Sequence, residues 1–446
     1  MPSPRFFFLA LLPLCVISCG EENNAPAPLL AESAEARNDS LRILSDTADS
    51  RLFRHSPASL APFRNFYAQL GNAQKDKQLL RILHYGDSQI EADRITGAFR
   101  EKTQERFGGA GVGLLPLAEL SEARACVLRK TSRNWTHHDL RTKKDKNVQG
   151  GRYGYGCTVQ EMTVPAKPGP NEYNEAWVQL KANPESRPNE RKAERFRLFY
   201  RNTFDNASYV LQADTHILAQ GELDKSSSFS TLNVKLNSSE LGKLQLTLAA
   251  NKSPEIFGMA LDGESGVAVD NISLRGSSAI EFTNMDTLFL REQLKSINAG
   301  LIIFQFGANL VPGNAKDYGY YEELFYKQLS MFRRMAPGAA VLVIGVPDMA
   351  RKEKGKYASY PSVEKVLQAQ RRAAERSGCA FWNLYSIMGG KNSMITWHKN
   401  GLANRDFVHF SNKGAAHVGE LLYDALLKDY QRFKHPKEEK EKLAAR

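Results

Sequence analysis

Two short segments near opposite ends of the chain contain residues whose types and spacing suit nucleophilic catalysis. The first is Gly86-Asp87-Ser88, and the second is Asp406-Phe407-Val408-His409. An aspartate three residues before a histidine can orient the imidazole within one loop. The other ring nitrogen is then left to take a proton from a serine hydroxyl. The pattern therefore suits Ser88 as a nucleophile, with His409 as its base.

The first segment lies where the sequence predicts a strand that turns sharply into a helix. Residues 80–85 form a short apolar run typical of a buried strand, and apolar side chains then recur at near-helical spacing until Gly108-Gly109. A serine at such a turn lies at the end of a sheet, where N–H groups at the helix start favour negative charge. The tripeptide alone is also typical of an ordinary turn, so the prediction depends on its partners.

The rest of the chain contains two different sequence patterns. Residues 118–266 contain short alternating runs separated by Gly, Asn, Asp and Pro, which is typical of an all-β sandwich or jelly roll. From residue 267 onwards, apolar strands alternate with helices, as they do around a parallel sheet covered on both faces. We predict a three-layer α/β/α domain formed by residues 51–117 and 267–434, interrupted by an inserted β-sandwich of residues 118–266.

Other predicted strands of the α/β domain also end in small or polar residues. They end at Gly276, at Gly307-Ala308-Asn309 and at Pro347-Asp348. Ligands bind at the carboxyl ends of the strands in an open parallel sheet, so these residues should lie near Ser88. The Gly-rich residues 108–113 follow a predicted helix and not a strand, which excludes the dinucleotide-binding and phosphate-loop motifs.

The N-terminus predicts export. Arg5 precedes an apolar run too short for a stop-transfer helix, so residues 1–18 are predicted to be a signal peptide. The ending Val16-Ile17-Ser18-Cys19 resembles a bacterial lipobox, which implies lipidation of Cys19 and a membrane anchor; cleavage elsewhere and release is the alternative. Residues 19–50 read as a flexible tether and residues 435–446 as a charged tail. We expect the protein in the periplasm, at the outer membrane or on the cell surface.

The chain is basic, with a formal net charge of +11 over 446 residues. No stretch of interleaved basic and aromatic residues resembles a nucleic-acid reader, so we expect no nucleic-acid partner. An acidic cell-wall polymer is the alternative source of attraction. Beyond the N-terminal region, Cys126, Cys157 and Cys379 match no zinc site. If an exported chain forms one disulfide from them, we expect it to be Cys126–Cys157.

In their order and spacing, the segments described above resemble the conserved blocks of the SGNH (GDSL) hydrolase superfamily. Block I would be Gly86-Asp87-Ser88, block II Gly276, block III Gly307-Ala308-Asn309 and block V Asp406-Phe407-Val408-His409. The last block continues as Phe410-Ser411-Asn412-Lys413-Gly414, which is similar to the family's usual run into its final helix. The resemblance covers about residues 80–117 and 266–430 and implies an α/β/α fold with a parallel sheet.

The resemblance also implies a role for each site residue. Ser88 would attack an ester carbonyl, His409 would transfer the proton to the leaving alcohol, and Asp406 would hold His409. The oxyanion hole would consist of the N–H groups of Ser88 and Gly276 and the side-chain amide of Asn309. The alternatives are that Asp406 is a helix-flanking cap and that Gly276 and Asn309 are turn residues. No cofactor and no metal are implied.

The position of the insert indicates which subgroup of the superfamily the chain resembles. A β-domain between blocks I and II of an exported lipoprotein resembles bacterial peptidoglycan O-acetylesterases, whose insert is similar to a carbohydrate-binding module. The segment leading into block II, residues 257–271, looks like that subgroup. The implied substrate is peptidoglycan with O-acetylated muramic acid, deacetylated through an acetyl-Ser88 intermediate. An O-acetyltransferase, an esterase of another polysaccharide and a glycan-binding lipoprotein without activity are the alternatives.

Overall fold

The computed structural model describes residues 52–118, 126–141, 145–164, 173–205, 207–236, 240–313 and 315–435. The predicted signal peptide, Cys19 and the tether lie outside these residues, as does the charged tail after His435. Among the described residues, no helix combines the length and the apolar character needed to cross a membrane.

The order of the described helices and strands agrees with the two predicted sequence patterns. The described part of the chain starts with α1 (Leu60–Asn72), β1 (Leu79–Gly86) and α2 (Arg94–Phe107). The strands that follow are β2 (Gly113–Leu115), β3 (Val127–Thr131), β4 (Trp135–Asp139), β5 (Thr158–Met162), β6 (Asn174–Ala182), β7 (Arg195–Asn202), β8 (Ser208–Ala213), β9 (His216–Glu222), β10 (Ser226–Lys235), β11 (Leu244–Ala250) and β12 (Glu255–Asp262). The chain then continues with β13 (Gly266–Ser273), α3 (Thr287–Ser296), β14 (Ala299–Gln305), α4 (Gly319–Met335), β15 (Ala340–Ile344), β16 (Ala350–Glu353), β17 (Lys356–Ser359), α5 (Val363–Arg376), β18 (Ala380–Trp382), α6 (Leu384–Met388), α7 (Ser393–Lys399) and α8 (Asn412–Lys434).

A parallel sheet forms the middle layer of the α/β domain. Within the described residues its strand order is β13-β1-β14-β15-β18, and each neighbouring pair is parallel. Every residue of β1 is buried, because helices cover both faces of the sheet. Ile82 packs with α1, α2 and α8 on one face, whereas Leu83 and Tyr85 pack with α3, α4 and α5 on the other. The predicted three-layer α/β/α fold is confirmed.

The inserted strands form two antiparallel sheets around a core of their own. One sheet has the order β10-β7-β12-β5-β4, with β2 also paired to β12, and the other has the order β3-β6-β11-β8-β9. Alternate residues of β11, namely Leu244, Leu246 and Leu248, point into this core, as expected for a strand with one buried face. The predicted β-sandwich insertion is therefore present. Its first paired strand, β2, already precedes residue 118.

The Gly-rich residues 108–113 connect α2 to the sandwich where two backbones approach closely. A Cβ atom on Gly109 would lie 2.3 Å from the carbonyl oxygen of Val267. A Cβ atom on Gly111 would lie 2.1 Å from that of Leu261. Both glycines also have positive φ angles, so a side chain at either position is disfavoured by backbone conformation as well as by steric clash. The glycines permit close packing of two backbones, in keeping with rejection of a phosphate-binding loop.

The expected Cys126–Cys157 disulfide is wrong. Both residues are buried thiols that form no bridge. Cys126 belongs to the sandwich core, and its Sγ lies 3.6 Å from Asp93 Oδ2. Cys157 belongs to the other large core, which includes one face of the central sheet. Closeness in sequence was a poor guide here because the segment between the two cysteines passes from one core to another.

A buried ion cluster ties the insert to the helix that follows the nucleophile. Arg100 on α2 contacts Asp93 at 2.5 Å and Glu190 of the insert at 3.1 Å. All three side chains are almost fully buried. Removal of one partner would leave a buried charge unpaired, so substitution of Arg100, Asp93 or Glu190 alone should weaken the contact between the insert and α2.

Candidate active site

Ser88 lies directly beyond the carboxyl end of β1, at the turn that the sequence predicted. Gly86 ends the strand, and a Cβ atom there would lie 2.9 Å from the carbonyl oxygen of Gln305 on the neighbouring strand β14. After Ser88, two left-handed residues, Ala92 (φ +59°) and Asp93 (φ +66°), redirect the chain into α2. The close approach of the strands and the tight turn together place the buried Ser88 at the sheet edge.

The structure brings Ser88, His409 and Asp406 into one hydrogen-bonded series. Ser88 Oγ lies 2.9 Å from His409 Nε2, and His409 Nδ1 lies 2.8 Å from Asp406 Oδ2. The carboxylate accepts a hydrogen bond from Nδ1–H, which keeps the proton on Nδ1, so Nε2 is the nitrogen that can receive the proton of the serine hydroxyl. These distances are those required of a nucleophile, a general base and an orienting carboxylate.

The loop before α8 holds Asp406 in an ionised state. Its Oδ1 accepts hydrogen bonds from the backbone N–H groups of Val408 at 2.9 Å and His409 at 3.0 Å. Partial burial raises the pKa of Asp406, but the hydrogen bonds from His409 and the two N–H groups outweigh burial and hold it below its usual value. Phe407 has a left-handed φ of +57°, and its ring stacks on Tyr357 at 3.9 Å. Tertiary packing thus supports a strained turn.

Gly276 and Asn309 lie in the wall of the same cavity as Ser88 and His409. Gly276 has a φ of +82°. Asn309 Nδ2 donates a hydrogen bond of 2.8 Å to the carbonyl of Ser277, the residue that follows Gly276. An asparagine amide has two N–H donors, so one remains for a negatively charged oxygen. The bond to Ser277 fixes the Asn309 side chain against the turn that contains Gly276, as a preorganised oxyanion hole requires.

The cavity has a volume of about 1080 Å³ and is shared between the α/β domain and the insert. The insert supplies a polar part of its wall, which consists of Asn183, Glu185, Ser186, Arg187 and Glu190. Sequence reasoning did not identify these residues, because nothing in a polar loop of a β-domain indicates that it folds back onto a distant serine. The insert is therefore at least a wall of the cleft.

Asp87, between the strand and the nucleophile, has a structural role. Its Oδ1 accepts from the Gln89 N–H at 3.0 Å, and its Oδ2 accepts from the Ala308 N–H at 3.2 Å. The carboxylate therefore joins the nucleophile turn to the segment that carries Asn309. Burial raises the pKa of Asp87 to about 6, although the backbone hydrogen bonds oppose this shift.

This pKa shift makes stability depend on pH in a predictable direction. The folded protein binds the Asp87 proton more tightly than the unfolded chain, so the contribution of this group falls as pH rises from about 4 to about 6. A shift of about two pKa units corresponds to about 3 kcal/mol. Between these pH values, urea unfolding should show wild type losing about that much free energy of unfolding relative to Asp87→Asn. A difference between the two proteins that does not vary with pH would contradict this assignment.

Replacement of Asn309 by alanine should remove one oxyanion donor without changing the triad. We expect kcat for p-nitrophenyl acetate to fall on the order of 10²- to 10³-fold, with little change in KM, because the donor acts as charge develops on the carbonyl oxygen. Asn233→Ala on the exposed side of β10 serves as the matched control. If kcat in Asn309→Ala matched that of the control, Asn309 would not be an oxyanion donor.

A serine, a histidine and an aspartate in series at the carboxyl edge of a parallel α/β/α sheet form an arrangement that serine hydrolases of several unrelated folds share. No protein-family model matches the chain, and no curated protein matches it in sequence. A solved structure described as a peptidoglycan O-acetylesterase is similar, with a TM-score of 0.66 and 21% identity, over 85% of this chain and 98% of that chain. The chain has the fold of that esterase.

Two further solved structures have weaker similarity. An acetyl xylan esterase matches with a TM-score of 0.28 and 16% identity, over 36% of this chain and 81% of that chain. A family two carbohydrate esterase from Cellvibrio japonicus matches with a TM-score of 0.27 and 8% identity, over 68% of this chain and 99% of that chain.

Proposed function

We propose that the protein is a serine esterase that removes O-acetyl groups from a cell-envelope glycan, and that this glycan is peptidoglycan with O-acetylated muramic acid. The observation that carries the proposal is the series Ser88–His409–Asp406, with hydrogen-bond distances of 2.9 and 2.8 Å, in the cavity that also contains Asn309.

In the first half of the reaction, Ser88 Oγ attacks the acetyl carbonyl while its proton passes to His409 Nε2. Ionised Asp406 stabilises the resulting imidazolium. The N–H groups of Ser88 and Gly276 and the amide of Asn309 bind the oxyanion. The sugar oxygen then leaves with the proton from His409, and Ser88 retains the acetyl group. In the second half, His409 takes a proton from water, hydroxide attacks the acetyl-Ser88 carbonyl, and acetate is released as Ser88 recovers its proton.

The cavity and the fold support a polymeric glycan as substrate. An acetyl group alone would occupy a small part of about 1080 Å³, so the cavity also has room for sugar rings. The polar wall supplied by the insert offers amide, hydroxyl, carboxylate and guanidinium groups to sugar hydroxyls. The shared fold with a peptidoglycan O-acetylesterase makes the same substrate the first choice.

We also propose that the mature protein is attached to the membrane through lipidated Cys19, which would place the enzyme beside its substrate. The lipobox-like segment Val16-Ile17-Ser18-Cys19 supports this location. Partition of the full-length protein into detergent, compared with Cys19→Ala, tests the proposal. Equal partition of the two proteins would refute lipidation at this residue.

The substrate proposal is tested by acetate release from purified O-acetylated peptidoglycan. Peptidoglycan stripped of its acetyl groups by mild base is the matched control, and acetylated xylan is the competing substrate. We expect Ser88-dependent release from acetylated peptidoglycan and less from xylan. Preferential release from xylan would leave the esterase assignment intact but refute the choice of glycan, and transfer to an added sugar acceptor in preference to water would identify a transferase.

A further inference from the structure

Two side chains on the nucleophile turn reach across to the loop that carries His409. Gln89 Nε2 donates to the carbonyl of Val408 at 2.8 Å, and Arg94 Nη1 donates to the carbonyl of Phe410 at 3.0 Å. These carbonyls belong to the residues on either side of His409. Gln89 and Arg94, which lie close to Ser88 in sequence, therefore hold the main chain on both sides of His409.

Arg94 also fixes its own end of this connection. Its Nη2 donates to the carbonyl of Ser88 at 3.2 Å, and its Nε donates to the carbonyl of Glu91 at 3.0 Å. One planar guanidinium therefore joins three carbonyls, two on the nucleophile turn and one beyond the base. A guanidinium presents N–H donors in fixed, divergent directions, whereas a lysine ammonium acts as a compact point charge on a flexible stem.

The charge of Arg94 is not used in an ion pair within the described residues. The nearest carboxylates in sequence have other partners: Glu91 contacts Arg275 at 3.3 Å, and Asp93 contacts Arg100 at 2.5 Å. The hydrogen bonds of Arg94 instead go to main-chain oxygens of the two catalytic segments. The Arg94 guanidinium therefore holds main-chain segments in position and does not neutralise a carboxylate.

We propose that Arg94, assisted by Gln89, is a positioning residue that sets the distance between Ser88 Oγ and His409 Nε2. This inference rests on the proposed esterase function, because it concerns the same site. The Ser88–His409 contact joins two segments that lie far apart in the sequence. Proton transfer between them is sensitive to small displacements of either segment. An error of about 1 Å in such a contact costs on the order of a hundredfold in rate.

The first arm of the test is kinetic. Arg94→Met should lower kcat for p-nitrophenyl acetate on the order of ten- to a hundredfold, leave KM nearly unchanged, and leave the shape of the pH profile unchanged. Arg94→Lys should fall between wild type and Arg94→Met. In Arg94→Ala, added guanidinium chloride at low concentration should restore part of kcat. Arg106→Met at the exposed far end of α2 is the matched control, with no expected loss.

The second arm does not depend on activity. Hydrogen–deuterium exchange of the peptide covering residues 402–411 should be faster in Arg94→Met and in Gln89→Leu than in wild type or Arg106→Met. Unchanged exchange together with full kcat in Arg94→Met would overturn the proposal. A rise in KM alone would also overturn it, because it would identify Arg94 as a substrate contact. If wild type hydrolysed no ester, the proposed function would fail, and the exchange arm would still decide the role of Arg94.

Discussion

Ser88→Ala is expected to lower kcat/KM for p-nitrophenyl acetate on the order of 10⁴-fold or more, because the proposed acyl-enzyme forms on the Ser88 hydroxyl. The hydroxyl lies 2.9 Å from His409 Nε2 and occupies the rigid turn at the end of β1. What remains in the variant would be the contribution of the oxyanion hole and of substrate binding to direct attack by water. Acetate release from glycan should fall to the same extent.

The matched control for this variant is Ser228→Ala, on the exposed face of β10 in the insert. We expect its kcat/KM to equal that of wild type, and its melting temperature to match that of Ser88→Ala. If Ser88→Ala retained wild-type activity while folding normally, the nucleophile would have to be another residue. The assignment of the site would then be wrong.

Asp406→Asn is expected to lower kcat on the order of 10³- to 10⁴-fold with little change in KM. Asp406 accepts three hydrogen bonds, from His409 Nδ1 and from the N–H groups of Val408 and His409. An asparagine has one accepting oxygen, so its NH₂ group must face a donor or force the other tautomer of His409, in which Nε2 carries a proton. Either outcome removes the base that Ser88 needs.

Asp424→Asn, exposed on α8, is the control for the loss of one negative charge. The double variant Ser88→Ala/Asp406→Asn should be no slower than Ser88→Ala, since the members of a triad act as a unit. If Asp406→Asn lost less than about tenfold in kcat, Asp406 would be a loop cap and not a partner of the base.

The central sheet could be predicted from sequence because its strands are buried on both faces. β1, β14 and β15 therefore read as nearly continuous apolar runs, and the residue types at their carboxyl ends stand out. Parallel topology then places these ends at one edge, which is why Ser88, Gly276 and Asn309 could be grouped without coordinates. In the insert, β6 and β11 were recognisable as short runs of alternating apolar and polar residues.

Other elements could not be predicted, because tertiary contacts and not local pattern stabilise them. The hairpin β16–β17 is rich in Lys, Arg and Glu, and its place beside the active site depends on the stacking of Tyr357 on Phe407. Asp348, which follows a predicted strand, is buried and accepts hydrogen bonds from Ser359 and from the N–H of Met394. It anchors this hairpin to α7.

The positioning residues were missed for a related reason. Arg94 reads as an ordinary polar residue at the start of a helix, and its role appears only when Phe410 is brought beside it. Glu190 and Arg187 likewise read as surface charges of the insert, whereas the fold places both in the wall of the catalytic cavity. Long-range contacts of single side chains leave no periodic trace in the sequence.

The most direct test of the central claim is to trap the acyl-enzyme. Wild type is mixed with p-nitrophenyl acetate, quenched in acid within one turnover, digested and mapped by mass spectrometry. We predict one added acetyl group on the peptide that contains Ser88 and none in Ser88→Ala. Acetylation of a different residue during turnover, or undiminished acetate release by Ser88→Ala, would contradict the account.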